Sequence, residues 1–204
     1  MTIRLSRRHF LGLMPPAVGA LLLAACGESN EETAATSPAQ LAATPACGDD
    51  HEPTPAQTDG PFFTPNSPLR ASLMDDGVSG TPLRLCGEVV NTNCEPIENA
   101  LVDFWQTDDA GDYDNVGFRL RGHQFTDESG SYRLETIVPG PYPGRTRHIH
   151  VKVQAPGQAV LTTQLYFPDD PRNDGDGIFD PRLLIEMADT NATRVGSFRF
   201  VLDA

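Results

Sequence analysis

Hydrophobic and polar positions alternate in short runs from about residue 83 onward, and the runs read as strands. The first is Leu83-Arg84-Leu85-Cys86-Gly87-Glu88-Val89-Val90, followed by a turn at Asn91-Thr92-Asn93. Ala100-Leu101-Val102-Asp103-Phe104-Trp105 places Ala100, Val102 and Phe104 on one face, as a period of two requires. Asp127-Glu128-Ser129-Gly130 predicts a turn into a strand over 132–137, and further strands are predicted over 148–153, 161–167 and 195–202. Only 181–187 is predicted to be a short helix. Short strands punctuated by Gly, Pro and Asp predict an all-β fold, a β-sandwich of mostly antiparallel strands with long functional loops. Gln57-Thr58-Asp59-Gly60-Pro61-Phe62-Phe63 opens this part, and 57–204 has the size of one domain.

The chain ahead of it has a different pattern. Ser6-Arg7-Arg8-His9-Phe10-Leu11 carries the paired arginines of a twin-arginine export signal, followed by an apolar run from Leu11 to Ala25. That run is too short to span a bilayer comfortably. Leu23-Ala24-Ala25-Cys26 resembles the lipobox of bacterial lipoproteins, in which the cysteine is lipidated and becomes the new N-terminus. Residues 1–25 are therefore expected to be a signal. Residues 26–56, rich in Ala, Thr, Ser, Pro and Glu without periodicity, are expected to tether the 57–204 domain flexibly to a lipid on Cys26. The expected location is the bacterial cell envelope, on its periplasmic or extracellular face.

Charge and cysteine content narrow the partners. Removing 1–25 takes away three arginines and no acidic residue, so the net charge moves from −13 to about −16. An acidic surface of this size argues against nucleic acid as a partner. With Cys26 lipidated, Cys47, Cys86 and Cys94 remain for an oxidising compartment. Each strand residue advances roughly 3.3 Å, so a hairpin separates Cys86 from Cys94, whereas bridged Cα atoms must approach to about 4.4–6.8 Å. The expected bridge joins Cys47 to one of the other two.

The candidate chemistry lies in Tyr142-Pro143-Gly144-Arg145-Thr146-Arg147-His148-Ile149-His150. On a strand, His148 and His150 project from one face while Ile149 points to the other. Two adjacent imidazoles form a metal clamp, but neutral imidazole suits iron, copper, zinc and nickel alike. Pro139-Gly140-Pro141 ahead of Tyr142, and Pro143-Gly144 after it, hold an irregular loop against that strand. Tyr132 and Tyr166 fall inside predicted strands and are expected in the core. His51 falls in the tether. His123 sits in an Arg-Gly-x-Gln loop and takes no role. The run 169–177, with its four aspartates, lacks EF-hand spacing and the closing glutamate, and reads as a solvated acidic loop.

Several ordered motifs together carry a resemblance. Gly60-Pro61-Phe62-Phe63, Val102-Asp103-Phe104-Trp105-Gln106, Gly111-Asp112-Tyr113 and Arg119-Leu120-Arg121-Gly122-His123-Gln124 are followed by Pro139-Gly140-Pro141-Tyr142-Pro143, His148-Ile149-His150 and Thr163-Gln164-Leu165-Tyr166. The chain resembles the intradiol ring-cleavage dioxygenases, the group of catechol and protocatechuate 3,4-dioxygenases, and among them the exported single-domain members. The resemblance implies non-haem Fe(III) held by Tyr113, Tyr142, His148 and His150, with Arg145 stabilising negative charge on the substrate and Gln164 lining the same pocket. Arg147 is the competing arginine. Hard ferric iron prefers anionic phenolate oxygen to thiolate, and a bound cation favours the deprotonated phenol. The implied reaction inserts both atoms of O₂ into a catechol-type aromatic diol and yields a muconate-type diacid, with Tyr142 leaving the metal to act as internal base. The implied substrates are that diol and O₂.

One departure from the family is that Tyr142 and His148 are only six residues apart, where ring-cleaving members carry a longer loop; the shorter loop leaves more of the site open on that side. Two other readings compete. One is a non-catalytic, lipid-tethered β-sandwich that binds an extracellular ligand, and the other is a copper or zinc protein using the two histidines alone. Both tyrosines are needed only by the iron enzyme.

Overall fold

A computed structural model describes residues 52–188 and 194–204, all within the compact unit Thr44–Ala204. The expected export signal, Cys26, Cys47, His51 and the tether up to residue 51 lie outside the described residues. Among the described residues no helix is long and apolar enough to cross a membrane.

Among the described residues nine strands form two sheets: β1 (Pro82–Asn91), β2 (Leu101–Trp105), β3 (Arg121–Phe125), β4 (Ser131–Ile137), β5 (His148–Gln154), β6 (Leu161–Tyr166), β7 (Glu186–Ala188), β8 (Arg194–Ser197) and β9 (Phe200–Leu202). One sheet runs β3-β2-β5-β6 and is antiparallel throughout. The other runs β4-β1-β8-β7, with β9 also pairing β1. The β-sandwich expected from the alternation is the fold that forms. Its core is built from the inward set of each strand: Leu83, Leu85 and Val89, Val102 and Phe104, Leu134, Ile149, Val151 and Val153, and Leu165 are each 1% exposed or less. Tyr132 belongs to this core.

Four local expectations are corrected. Strand β3 forms where the sequence predicts a loop, because Arg121-Gly122-His123-Gln124 lacks an apolar alternation. Gly122 faces inward, where a Cβ would lie 2.8 Å from both the Arg70 and Leu73 side chains, so the strand is selected by close packing. The last strand is two strands broken at Phe198–Arg199. The Phe198 carbonyl accepts from the Tyr132 hydroxyl at 2.8 Å and presses on Gly87, where a Cβ would collide with it. The helix over 181–187 is only a 3-10 turn, Pro181–Leu183. Leu183 and Ile185 are both buried, a period of two; the Ile185 N–H then donates to the Tyr166 carbonyl and the chain continues as β7. The acidic run 169–177 is not simply solvated, since Asp170 and Asp176 are buried and bonded to arginines.

Cys94 is disulfide-bonded and Cys86 is free and exposed. The partner of Cys94 is therefore not Cys86 and lies outside the described residues.

The outer face of the β3-β2-β5-β6 sheet positions the candidate site. Cross-strand pairing sets Arg121, Trp105, His150 and Gln164 in one row, and His123, Asp103, Lys152 and Thr162 in another. A segment before β1 crosses this face. The Gln57 N–H donates to Thr162 O at 2.7 Å, the Ser67 hydroxyl to Asp103 Oδ1 at 2.8 Å, and the Arg70 N–H to His123 O at 2.8 Å. The chain already joins the sandwich at Thr54, whose N–H donates to Val201 O and whose hydroxyl accepts from the Val201 N–H.

Candidate metal centre

Strand alternation on β5 turns His148 and His150 to the outer face, as the sequence predicts, and both are buried. Their Nε2 atoms stand 3.2 Å apart, and the Tyr113 hydroxyl is 3.3 Å from His148 Nε2. The Tyr142 ring meets the Tyr113 ring edge-on at 5.7 Å between centroids. The four side chains expected from sequence are thus gathered in one place. Among the described residues no group of three or more His, Cys, Asp and Glu side chains converges. The further donor that stands beside the two imidazoles is the Tyr113 oxygen.

The tyrosines arrive on two loops that the glycines of their motifs lock together. Gly111, at φ +94°, lies so close to the Pro141 carbonyl that a Cβ would collide with it. Gly140 donates its N–H to Asp108 O at 2.7 Å, and a Cβ there would lie 2.5 Å from Gly111 N. Backbone against backbone at this range admits only glycine. Phe62, from the crossing segment, stacks on Tyr113 at 4.6 Å and meets Tyr142 edge-on at 5.6 Å. Gly60 of that segment comes close enough for a Cβ to touch the His150 ring at 3.7 Å.

The protonation states follow from the surroundings. His148 Nδ1 lies 2.7 Å from the Thr146 carbonyl; a carbonyl only accepts, so Nδ1 carries the proton and Nε2 keeps its lone pair toward Tyr113 and His150. Burial, with Arg145 adding to it, lowers the His148 pKa to about 4. Burial likewise holds His150 well below its ordinary value, helped by His148 and Arg145. Both rings are neutral at pH 7, the form that ligates metals. Burial pushes the Tyr113 phenol well above its ordinary value, against the pull of Arg145 and Arg121; a bound cation reverses that preference. The neutral Tyr113 phenol is placed to donate to the His148 Nε2 lone pair at 3.3 Å, and a cation bound among these groups would take the place of that proton. The donor set fits a metal of intermediate to hard character.

Arg145 lies beside these groups. Its Nε donates to Asp176 Oδ2 at 2.8 Å and its Nη2 to Gln164 Oε1 at 2.6 Å. Gln164 is fully buried, and its Nε2 donates to Thr58 O at 2.8 Å. Arg147 instead turns to Asp170, 3.5 Å away. Tyr166 is buried as expected, but its hydroxyl is polar-engaged, with its one proton between two acceptors, Gln164 Oε1 at 3.1 Å and Ile178 O at 3.2 Å. His123 lies away from the four, with Nδ1 2.8 Å from Ser67 O and 3.2 Å from Ser67 Oγ.

Sequence reasoning missed Asp176 and Phe62. Asp176 Oδ2 also accepts the Thr146 N–H at 3.0 Å, and its side chain is 3% exposed. It therefore ties Arg145 to the same residue whose carbonyl orients His148. The signal for Asp176 is faint, since it is one of four aspartates in a run whose composition reads as solvated. Phe62 was quoted only as part of a motif.

Comparison with known proteins gives these motifs a context. A family model described as "Dioxygenase" matches residues 58–203. The hydroxyquinol 1,2-dioxygenase of Nocardioides simplex is 31% identical over 150 residues, covering 62% of this chain and 51% of that protein; the chain spans about half the length of the curated relatives it matches. Among solved structures, the dioxygenase domain of a dioxygenase carbohydrate-binding protein fusion from Streptomyces sp. SirexAA-E is 56% identical with a TM-score of 0.73, covering 75% of this chain and 99% of that one. The 3-chlorocatechol 1,2-dioxygenase of Rhodococcus opacus 1CP is 31% identical with a TM-score of 0.68, covering 73% and 72%. With its two-sheet fold and its motifs in family order across 58–203, the chain belongs to the intradiol ring-cleavage dioxygenase family.

Proposed function

We propose that the protein is a non-haem Fe(III) enzyme that cleaves a catechol-type aromatic diol between its two hydroxylated carbons. Both atoms of O₂ enter the product, a muconate-type diacid. The observation that carries this reading is the convergence of His148 Nε2, His150 Nε2 and the Tyr113 oxygen at 3.2–3.3 Å, with Tyr142 at their side, in a member of this family. Tyr113, Tyr142, His148 and His150 hold the iron. When bound, ferric iron supplies Lewis acidity and a template for the two diol oxygens.

The side chains then divide the work. Tyr142 is half-buried and stands on a loop with Pro143 and Gly144 exposed, so of the two tyrosines it has the freer oxygen and would be the one to accept a proton from the diol. Tyr113, stacked under Phe62 and set against two buried histidines, stays in place. The Arg145 guanidinium, pinned by Asp176 and Gln164, faces negative charge as it develops on the ring. Phe62 packs against both tyrosine rings and holds them together. A Cβ at Gly144 would meet nothing within 4 Å, in keeping with a short 142–148 loop that leaves the site open to ring substituents on that side. Hydroxyquinol and chlorocatechols, the substrates named for the relatives, are tested alongside catechol. We further propose twin-arginine export and a lipid anchor on Cys26.

The test is oxygen uptake against a panel of catechols, with the visible spectrum of the purified protein recorded beside it. A tyrosinate–Fe(III) charge-transfer band and one O₂ consumed per diacid formed are expected. Colourless protein with stoichiometric zinc, or no uptake with any diol, overturns the reading.

A further inference from the structure

Among the described residues, three buried side-chain polar atoms have no hydrogen-bond partner: Arg121 Nη1, Trp105 Nε1 and His150 Nδ1. All three belong to one cross-strand row, since Trp105 pairs with Arg121 on one side and with His150 on the other. Each orphaned polar atom costs about 1–3 kcal/mol, so their confinement to a row beside the metal centre calls for a reason in that row.

The two histidines differ in how they are held. His148 donates Nδ1–H to a backbone carbonyl, the usual support for a metal-ligating imidazole. His150 has no such acceptor. Its ring instead lies flat on the Trp105 indole, with centroids 4.7 Å apart and planes 6° from parallel. The indole is 1% exposed, and Phe63 braces it edge-on at 4.9 Å. Lys152 caps Phe63 at 4.4 Å and stands 5.9 Å from the indole. A Cβ at Gly60 would come to 3.7 Å from His150 Cε1, so the crossing segment runs close to the ring. An imidazole stacked flat on a buried indole cannot tilt out of that plane without losing the contact, and its Nε2 is held 3.2 Å from His148 Nε2.

We propose that Trp105 is the positioning residue for His150, replacing by ring stacking the hydrogen bond that His150 Nδ1 lacks. The indole serves through its face, which accounts for its N–H remaining unpaired. A hydrogen bond to Nδ1–H raises the basicity of the ligating nitrogen; without one, His150 is the weaker donor of the two histidines. The inference rests on the ligand set proposed above, and its test separates the two.

Three variants are compared: Trp105→Phe, which keeps a ring face; Trp105→Leu, which removes it; and Phe63→Leu, which removes the brace without touching His150. Zn(II) affinity is measured by chelator competition, iron per chain and the visible band by spectroscopy, and His ring protons by NMR of metal-free protein. Trp105→Leu is expected to weaken metal binding by about 10–100-fold, the size of a lost outer support, while Trp105→Phe stays within a few-fold of wild type and Phe63→Leu falls between them. In metal-free wild type, the His150 ring protons are expected upfield of the His148 protons, as stacking on an indole requires. The NMR measurement needs neither metal nor the leucine variant. A wild type that binds no metal but shows the upfield His150 signals removes the ligand assignment and leaves the stacking support standing. Equal metal affinity in wild type and Trp105→Leu, an equal loss in Phe63→Leu, or unshifted His150 signals overturns the inference.

Discussion

Asp176→Asn is the substitution that most directly probes how Arg145 is held. Asp176 receives three donors on two oxygens: Arg145 Nε at 2.8 Å and Thr146 N at 3.0 Å on Oδ2, and Ile178 N at 3.2 Å on Oδ1. Asparagine has one acceptor oxygen, so in its better orientation it keeps Arg145 and Thr146 and turns an amide N–H against the Ile178 N–H. Losing the charge on a bond to arginine removes about 1.5–3 kcal/mol, and the unpaired Ile178 N–H costs about 1 kcal/mol more. Arg145 is one-fifth exposed and water recovers part of this, so a net loss of about 2–3 kcal/mol is expected, or roughly 5–10 °C in Tm. Urea denaturation at pH 7 reads the stability.

The sign of the pH dependence follows from the wild-type carboxylate. Burial resists its ionisation, but Arg145, Thr146 and Ile178 outweigh burial and hold its pKa below the ordinary value. A depressed folded-state pKa contributes stability that is present above the unfolded value of about 3.9 and is lost as pH falls through the folded value. The gap between wild type and Asp176→Asn should therefore be full at pH 7 and shrink below about pH 4. With Arg145 loosened, kcat/KM should fall on the order of 10²-fold, the scale of a charged group displaced by about 1 Å. A stability change under about 0.5 kcal/mol, or a gap that does not close in acid, refutes the role assigned to Asp176.

Three further outcomes are expected. Tyr142→Phe should retain iron and a weaker, shifted visible band while turnover collapses, whereas Tyr113→Phe should damage the site with and without a catechol; iron content, spectrum and saturated rate distinguish them, and equal losses in both remove the division of roles. Gly140→Ala should cost about 1–3 kcal/mol and release iron, because its Cβ would sit 2.5 Å from Asp109 O and Gly111 N; Gly175→Ala, with nothing within 4 Å, should change stability by less than about 0.5 kcal/mol, and a reversed order in urea denaturation contradicts the loop-locking role. Replacing Arg7 and Arg8 by lysine should leave the precursor inside the cell and Cys26→Ala should free the domain from membranes; fractionation that finds Cys26→Ala still membrane-bound removes the lipid anchor.

The sandwich was legible because its strands alternate strictly where one face is buried. Val102 and Phe104 inward, with Asp103 outward, is a pattern no helix can use, and His148 and His150 flanking Ile149 is the same rule applied to chemistry. The four gathered side chains were legible because their motifs carry backbone information as well as ligands. Gly111 and Gly140 mark where two loops touch, and the tyrosines follow two residues after each.

Contacts between distant segments decided the rest. Strand β3 forms from residues without apolar alternation because Arg70 and Leu73 pack against Gly122 across the chain. The last strand breaks because the Phe198 carbonyl must reach Tyr132, 66 residues away. Asp170 and Asp176 turn inward only because arginines from the 145–147 loop and from Arg172 neutralise them there. The stack of His150 on Trp105 and the row of orphaned polar atoms depend on strand register. Local pattern determines which face a side chain takes, because alternation is a property of one strand. Which partner it meets on that face is set by pairing across the sheet, and that is a property of the assembled fold alone.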